Sequence, residues 1–485
     1  MRRILLVLTA VFLFFSLVPP AFAAEEAASE LSYVNILQGG GVDSYDFLTD
    51  GDTFTAHYIG GELIVKNMRG IGSVYLVMDL SCEYRIRDLK SGASAVFGGN
   101  GFIHSVADLE QAFGYAPRQI GIEFLGGGFV CEMRTFSPGT LPSWVQCWDE
   151  PLTGGADMVL FSTHGDDEQL YFAGLLPYYA VERGLDVQVV YMTDHTNNAG
   201  STRMHEMLDG LWAVGIRAYP VFGHFPDFKK DYKVDTYIEY EIMGITHEEL
   251  LGYVVENIRR FKPQVAVGHD FNGEYGHGMH KVYAELLGEA VQISMDPQAY
   301  PHQVDRYGTW DVPKTYIHLY KENQVWMDWD QPLDSFGGMT AFEVTQKLGF
   351  PSHPSQQYEQ YVYWLYGYDN SITQASQIRS WSPCLYGLYR STVGEDVEKN
   401  DLMENITPYA EQTRINEQRD EELRETVQEA QKRNAVPTRL LREPDMTQPP
   451  PPMQEEKPGF PTAAAVLGTA AAAGAAVLWG IRKKF

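Results

Sequence analysis

Met158-Val159-Leu160-Phe161-Ser162-Thr163-His164-Gly165-Asp166-Asp167-Glu168 passes abruptly from an apolar run to a histidine and a block of consecutive carboxylates. A short, unbroken apolar run suits a strand buried on both faces, so the charged pentad falls at that strand's carboxyl end. The same alternation recurs downstream. Apolar runs at 158–162, 187–193, 219–222, 265–268 and 316–319 are separated by amphipathic stretches such as 203–214 and 247–260. Strands alternating with helices predict an α/β domain over 156–398, a Rossmann-like parallel sheet with helices on both faces. Sites in such sheets form outside the carboxyl ends of the strands. The stretch 321–396 is aromatic-rich and less regular, and is expected to pack over this domain.

Upstream, residues 31–150 read as all-β. Turn signals such as Asp50-Gly51-Asp52, Gly60-Gly61 and Gly126-Gly127-Gly128 separate short runs like Leu63-Ile64-Val65 and Val74-Tyr75-Leu76-Val77-Met78. A β-sandwich of jelly-roll type is expected. It weakly resembles galactose-binding-like modules, and a structural role and a sugar-binding role both stay open.

The two ends of the 485-residue chain carry their own signals. Met1-Arg2-Arg3, the apolar run 4–18 and Ala21-Phe22-Ala23 read as an export signal over 1–23, with an uncleaved membrane anchor as the alternative. Residues 462–481 are twenty in a row without a charge, followed by Arg482-Lys483-Lys484. That length just crosses a bilayer, and the basic cluster favours a cytoplasmic C-terminus. Residues 400–460, charged and helix-prone over 411–433 and proline-rich at 449–452, read as a stalk. The combined expectation is an ectodomain outside the cell, tethered by a C-terminal transmembrane helix; the segment is alanine-rich, and a cleaved or peripheral tail is the alternative. A net charge of −27 excludes a nucleic-acid partner, which needs a basic footprint. Cys82, Cys131, Cys147 and Cys384 lack metal-binding spacing; a Cys82–Cys131 bridge and free thiols are both open.

Chemistry concentrates in two segments. The pentad His164–Glu168 reads either as a solvated acidic helix start or as a cation site. The second segment, Phe271-Asn272-Gly273-Glu274-Tyr275-Gly276-His277-Gly278-Met279-His280, follows the run 265–268 and so lies at the same kind of strand end. His277 and His280, three apart, share a face if the segment is helical. Two sheet-end loops would then offer an open-sided His/Asp/His set. Three protein ligands and a water is the catalytic form of a zinc site.

Together the two segments resemble the paired signatures of the PIG-L/LmbE-like family of zinc de-N-acetylases, over about 156–320. The family's first motif is usually His-Pro-Asp-Asp-Glu, with Gly165 here in place of proline. Its second often ends Gly-Tyr-Gly-His-Pro-Asp-His, and Met279 here replaces the aspartate. The resemblance implies that His164, Asp167 and His280 hold Zn²⁺, or another divalent ion such as Fe²⁺. It implies Asp166 as general base, with Tyr275 and His277 assisting at the oxyanion and the departing amine. A packing role for Tyr275 is equally open. Arg203, in Ser201-Thr202-Arg203-Met204-His205-Glu206, and Asp227 match family positions that contact the sugar. A surface pair of Arg203 with Glu206 and a turn role for Asp227 are the alternatives. Asp194 and His195 are candidates for the pocket lining, His269-Asp270 for ordering the loop. His353 with the aromatics of 358–368 either forms a sugar-stacking wall or is core.

The function this implies is removal of N-acetyl groups from a GlcNAc-type amino sugar in an extracellular or cell-surface glycan. A metal amidase acting on another small N-acyl conjugate, and a glycan-binding adhesin without turnover, are the alternatives.

Overall fold

The computed structural model describes residues 27–31, 37–38, 46–194 and 202–434. The expected export segment, the proline-rich spacer, the apolar segment 462–481 and His195 lie outside the described residues. Among the described residues no helix is long and apolar enough to cross a membrane. The chain divides into two compact units, Met1–Glu417 and Gln418–Phe485. The charged stretch read as helix-prone is a helix, Tyr409–Asn434.

The amino-terminal part of the first unit is two facing antiparallel sheets. In chain order the strands are β1 (Leu37–Gln38), β2 (His57–Ile59), β3 (Leu63–Lys66), β4 (Ser73–Met78), β5 (Glu83–Asp88), β6 (Ser94–Gly98), β7 (His104–Asp108), β8 (Gln119–Phe124) and β9 (Gly128–Phe136). They order as β1-β3-β8-β5-β6 and β2-β9-β4-β7. Alternation along β3 and β5 turns Leu63, Val65, Tyr84 and Ile86 inward, where they meet Leu76, Met78, Val130 and Met133 of the other sheet.

The second sheet system is built from β10 (Met158–Ser162), β11 (Val187–Tyr191), β12 (Val221–Phe222), β13 (Val265–Gly268), β14 (Lys314–His318), β15 (Gln324–Trp326) and β16 (Leu385–Ser391). Its order is β12-β11-β10-β13-β14-β16-β15. The strands from β12 to β14 run parallel, whereas β16 pairs antiparallel with both β14 and β15. The wholly parallel expectation is therefore corrected to a mixed sheet. The aromatic-rich stretch returns as an antiparallel edge, a common ending for such sheets. Every residue of β10 is buried, as a strand covered on both faces requires. Met158 and Leu160 meet Met207, Leu208 and Leu211 of the helix Thr202–Ala213 on one face. Val159 and Phe161 meet the helices His247–Phe261 and Gly278–Ile293 on the other. The first of these two starts on a capping box, Thr246 with Glu249.

The sandwich packs directly on the helix Thr202–Ala213. Phe102 stacks on Tyr219 at 4.1 Å between ring centroids, Trp148 meets Trp212 edge-on at 5.2 Å, and His104 of β7 touches His205 ring nitrogen to ring nitrogen at 3.2 Å. At this seam Gln146 Nε2 donates to Asp209 Oδ1 at 2.5 Å, and Trp148 Nε1 donates to Gln146 Oε1 at 2.9 Å. Burial pushes the Asp209 carboxyl up to about 7, against a partial lowering by the Gln146 hydrogen bond. The folded state thus keeps a proton that the unfolded chain sheds between about pH 4 and pH 7, so stability falls as pH rises through that window, by up to a few kcal/mol. Asp209→Asn keeps the acceptor oxygen and removes the titration. Scanning calorimetry is expected to show the variant melting above the wild type at about pH 8 and level with it at about pH 4; equal shifts at both pH values would contradict this.

All four cysteines are free. Cys131 lies buried with its Sγ 4.0 Å from His205 Nε2, and Cys82 Sγ lies 3.8 Å from Met78 Sδ. The bridge between Cys82 and Cys131 does not form.

Candidate metal centre and active site

Adjacent parallel strands β10 and β13 end side by side, so the two sequence segments leave the sheet at the same edge. His164 follows β10, and Asp166 and Asp167 open the short helix Asp167–Leu170. His280 sits in the first turn of the helix Gly278–Ile293. The departures from the family motif have local reasons. Gly165 lies so close to Met207 that a Cβ would come within 2.7 Å of its Sδ. Gly278 donates its N–H to the Lys230 carbonyl at 2.6 Å, which a proline cannot do. Met279 is fully buried, and its Sδ accepts from the Tyr240 hydroxyl at 3.3 Å.

The acidic pentad is not a solvated helix start. Asp166, Asp167 and Glu168 are 5%, 2% and 1% exposed. His164 Nδ1 lies 3.1 Å from Asp167 Oδ2 and 3.1 Å from His280 Nε2, and His280 Nε2 lies 3.2 Å from Asp167 Oδ2. A tetrahedral ion with bonds of roughly 2.0–2.1 Å spaces its ligands about 3.3 Å apart, so this near-equilateral triangle fits one divalent cation. Donor atoms of His277 also come within 4.8 Å of those of His164 and His280.

Both imidazoles of the triangle are backed by carboxylates on their other nitrogens. His164 Nε2 faces Asp227 Oδ1 at 3.1 Å, and His280 Nδ1 faces Glu274 Oε2 at 2.8 Å. An N–H donated outward to a carboxylate leaves the inward nitrogen with its lone pair, the tautomer a cation needs. Glu274 is the hub of this support. Its Oε2 also takes His269 Nδ1 at 2.9 Å, and its Oε1 takes His318 Nδ1 at 2.6 Å and the Asp270 N–H at 3.1 Å. Burial alone would raise the Glu274 pKa, yet the surrounding imidazoles hold it well below the usual carboxylate range. His269 in turn accepts the Thr163 N–H at Nε2, tying the two loops together.

The cluster favours positive charge at its centre. Against the burial that opposes charging, Asp227 and Asp167 raise His164 to about 10, and Asp167 with Glu274 raises His280 to about 9. His277 behaves oppositely: burial first, then His280 and His164, push it down to about 2, so its ring is neutral. Its buried Nδ1 has no hydrogen-bond partner.

A cavity of about 570 Å³ opens over this triangle, a usual size for a small-ligand site. His164, Asp166, Asp167, Arg203, Asp227, Tyr275 and His277 all line it. Arg203 Nη2 pairs with Asp166 Oδ1 at 3.2 Å rather than with Glu206. Glu206 instead accepts the Ser355 N–H at 2.7 Å and its hydroxyl at 2.5 Å, fastening the helix to the 352–358 segment. Burial raises the Asp166 pKa, with Arg203 opposing.

Other expectations land elsewhere. Asp194 does not line the cavity and pairs with His224 at 2.5 Å. His353 is fully buried, 3.6 Å from Glu168, and is not part of a wall; Tyr358 and Tyr361 do line the cavity. Sequence reasoning missed Glu274 and His318 as supports, and Lys229, Gln356 and Gln360 as lining residues. A ligand histidine needs an acceptor behind it, which singles out Glu274 as the carboxylate inside the second segment.

Fold and site together define an α/β domain with a buried His/Asp/His centre at adjoining strand ends. Residues 159–291 match the family model described as PIG-L, GlcNAc-PI de-N-acetylase, and this segment is a PIG-L domain. Relatives include a 1D-myo-inositol 2-acetamido-2-deoxy-alpha-D-glucopyranoside deacetylase 1 from Catenulispora acidiphila, 24% identical over 221 residues, covering 41% of this chain and 67% of the relative. A deacetylase of the same description from Rhodococcus jostii is 27% identical over 180 residues, covering 33% and 60%. The chain thus spans about two thirds or less of the length of these two curated relatives. Among solved structures, N,N'-diacetylchitobiose deacetylase from Pyrococcus horikoshii matches at 16% identity and a TM-score of 0.35, covering 48% of this chain and 84% of that one.

Proposed function

We propose that the protein is a divalent-metal-dependent hydrolase that removes N-acetyl groups from a GlcNAc-type amino sugar in an exported or cell-surface glycan. The observation that carries this is the triangle of His164 Nδ1, Asp167 Oδ2 and His280 Nε2, 3.1–3.2 Å on each side, two of whose members line a cavity that Asp166 also lines. The deacetylase relatives support the reaction class.

A cation held by these three residues, zinc or another divalent ion, would lower the pKa of a water and polarise an acetyl carbonyl. Asp166 receives the proton of the attacking water and passes it to the amine nitrogen as the C–N bond breaks, leaving acetate and a free amine; its pairing with Arg203 favours the ionised form that a base requires. Tyr275, its pKa raised by burial and by Tyr361, stays a phenol and donates to the carbonyl oxygen as that oxygen gains charge. His277 is neutral, so it offers a hydrogen bond there, or to the leaving amine, rather than a charge. Arg203 and Asp227 meet the sugar hydroxyls at the cavity wall, and Asp227 at the same time orients His164.

Export and C-terminal anchorage rest on the apolar segments 4–18 and 462–481. One experiment addresses reaction and placement together. The full chain is fractionated from cells, its metal content measured, and acetate release followed with N-acetylglucosamine and its oligomers. Recovery from membranes, and activity abolished by chelation and restored by Zn²⁺ or Fe²⁺, is the expected result. Glycan binding without acetate from a metal-loaded protein would replace this reading by an adhesin. Acetate from other N-acyl amines alone would replace it by a metal amidase, and recovery in the soluble fraction would remove the anchor.

A further inference from the structure

We propose that the cavity continues into an aromatic subsite, formed by Tyr275, Tyr358, Tyr361 and Trp381, that holds the sugar ring next to the one being deacetylated. The substrate is then an oligosaccharide carrying N-acetyl amino sugars, not a single sugar. This inference rests on the deacetylase reading above.

The cavity has two unlike sides. One is ionic: His164, Asp166, Asp167, Arg203 and Asp227. The other is aromatic and amide-bearing, with Tyr275, Tyr358 and Tyr361 beside Gln356 and Gln360. A pyranose has the matching surfaces, an apolar C–H face that stacks on rings and a rim of hydroxyls that bond amides and charges. Tyr358 is 55% exposed and Tyr275 38%, so these rings face the opening and not the core. Tyr361 and Trp381 meet Tyr275 edge-on, at 6.1 Å and 6.4 Å between ring centroids, so the rings form one contiguous aromatic cluster in which Trp381 stands behind Tyr275.

The backbone supports the same assignment. Tyr275 and Trp381 both adopt left-handed conformations, at φ 46° and 50°. A bulky residue there is strained and persists only where its surroundings over-determine it. The two come from distant parts of the chain and meet edge-on. Tyr358, Tyr361 and Trp381 lie beyond the matched segment 159–291, so three of the four rings come from chain that segment does not cover, while Tyr275 lies within it.

The test separates binding from turnover. In the Asp166→Asn variant, calorimetric titration with N-acetylglucosamine and with its trimer is expected to show the trimer binding at least tenfold tighter. Adding Tyr358→Ala should cost about tenfold in trimer affinity and no more than two- to threefold in monomer affinity, while Tyr358→Phe restores the difference. Equal affinities for monomer and trimer, or equal losses on both, would overturn the subsite. Wild-type acetate release, run in parallel, keeps the two claims apart: release with no chain-length preference in binding sinks only the subsite. No release from any N-acetyl amino sugar sinks the deacetylase reading and the subsite with it.

Discussion

Asp166→Asn is expected to lower kcat for acetate release by ~10²–10⁴-fold while the protein keeps its full complement of metal. Asp166 is 5% exposed, lines the cavity floor, and touches the charged partner Arg203 but is not a corner of the cation triangle. Asparagine keeps the shape and cannot accept the proton. Elemental analysis beside steady-state kinetics decides the matter. An active variant would move the base elsewhere, and an inactive variant that had also lost its metal would show Asp166 to be a ligand.

Glu274→Gln carries the second large effect, on stability and metal affinity together. The wild-type carboxylate is fully buried and accepts from three imidazoles and one backbone N–H. An amide is neutral and turns a donor toward at least one imidazole that also donates. Removing one member of a buried charged cluster costs about 3–5 kcal/mol, and loss of the group behind a ligand histidine typically weakens metal binding 10–100-fold. Denaturant unfolding of the metal-free protein and competition against a chelating dye measure the two effects. Unchanged values in both would mean that Glu274 merely fills space.

Much of the α/β domain was legible because buried parallel strands are short apolar runs. The run 265–268 is strand β13 itself, and 203–214 overlaps the helix Thr202–Ala213 closely. The ligand-bearing loops were legible for a related reason, since histidines and carboxylates just after such strands land on one sheet edge. The antiparallel edge was not. Strand β16 follows a stretch of short helices and turns whose aromatics mix core and cavity roles, so no single period marks it. Glu274 and His318 escaped for another reason: their partnership spans 44 residues and exists only once β13 and β14 lie side by side. The seam at His104 and His205 was equally hidden, because it joins residues from two separate folding patterns.

That seam changes what the front half of the molecule is for. The helix that aims Arg203 at Asp166 has its other flank against the sandwich, through His205, Trp212 and Asp209. The two-sheet half therefore backs the helix that carries Arg203, and so supports the half that holds the cation triangle. A version cut back to the PIG-L segment 159–291 would lay those three side chains open to water and leave the guanidinium without a fixed seat. Divergence in the front half has to stay compatible with one helix face.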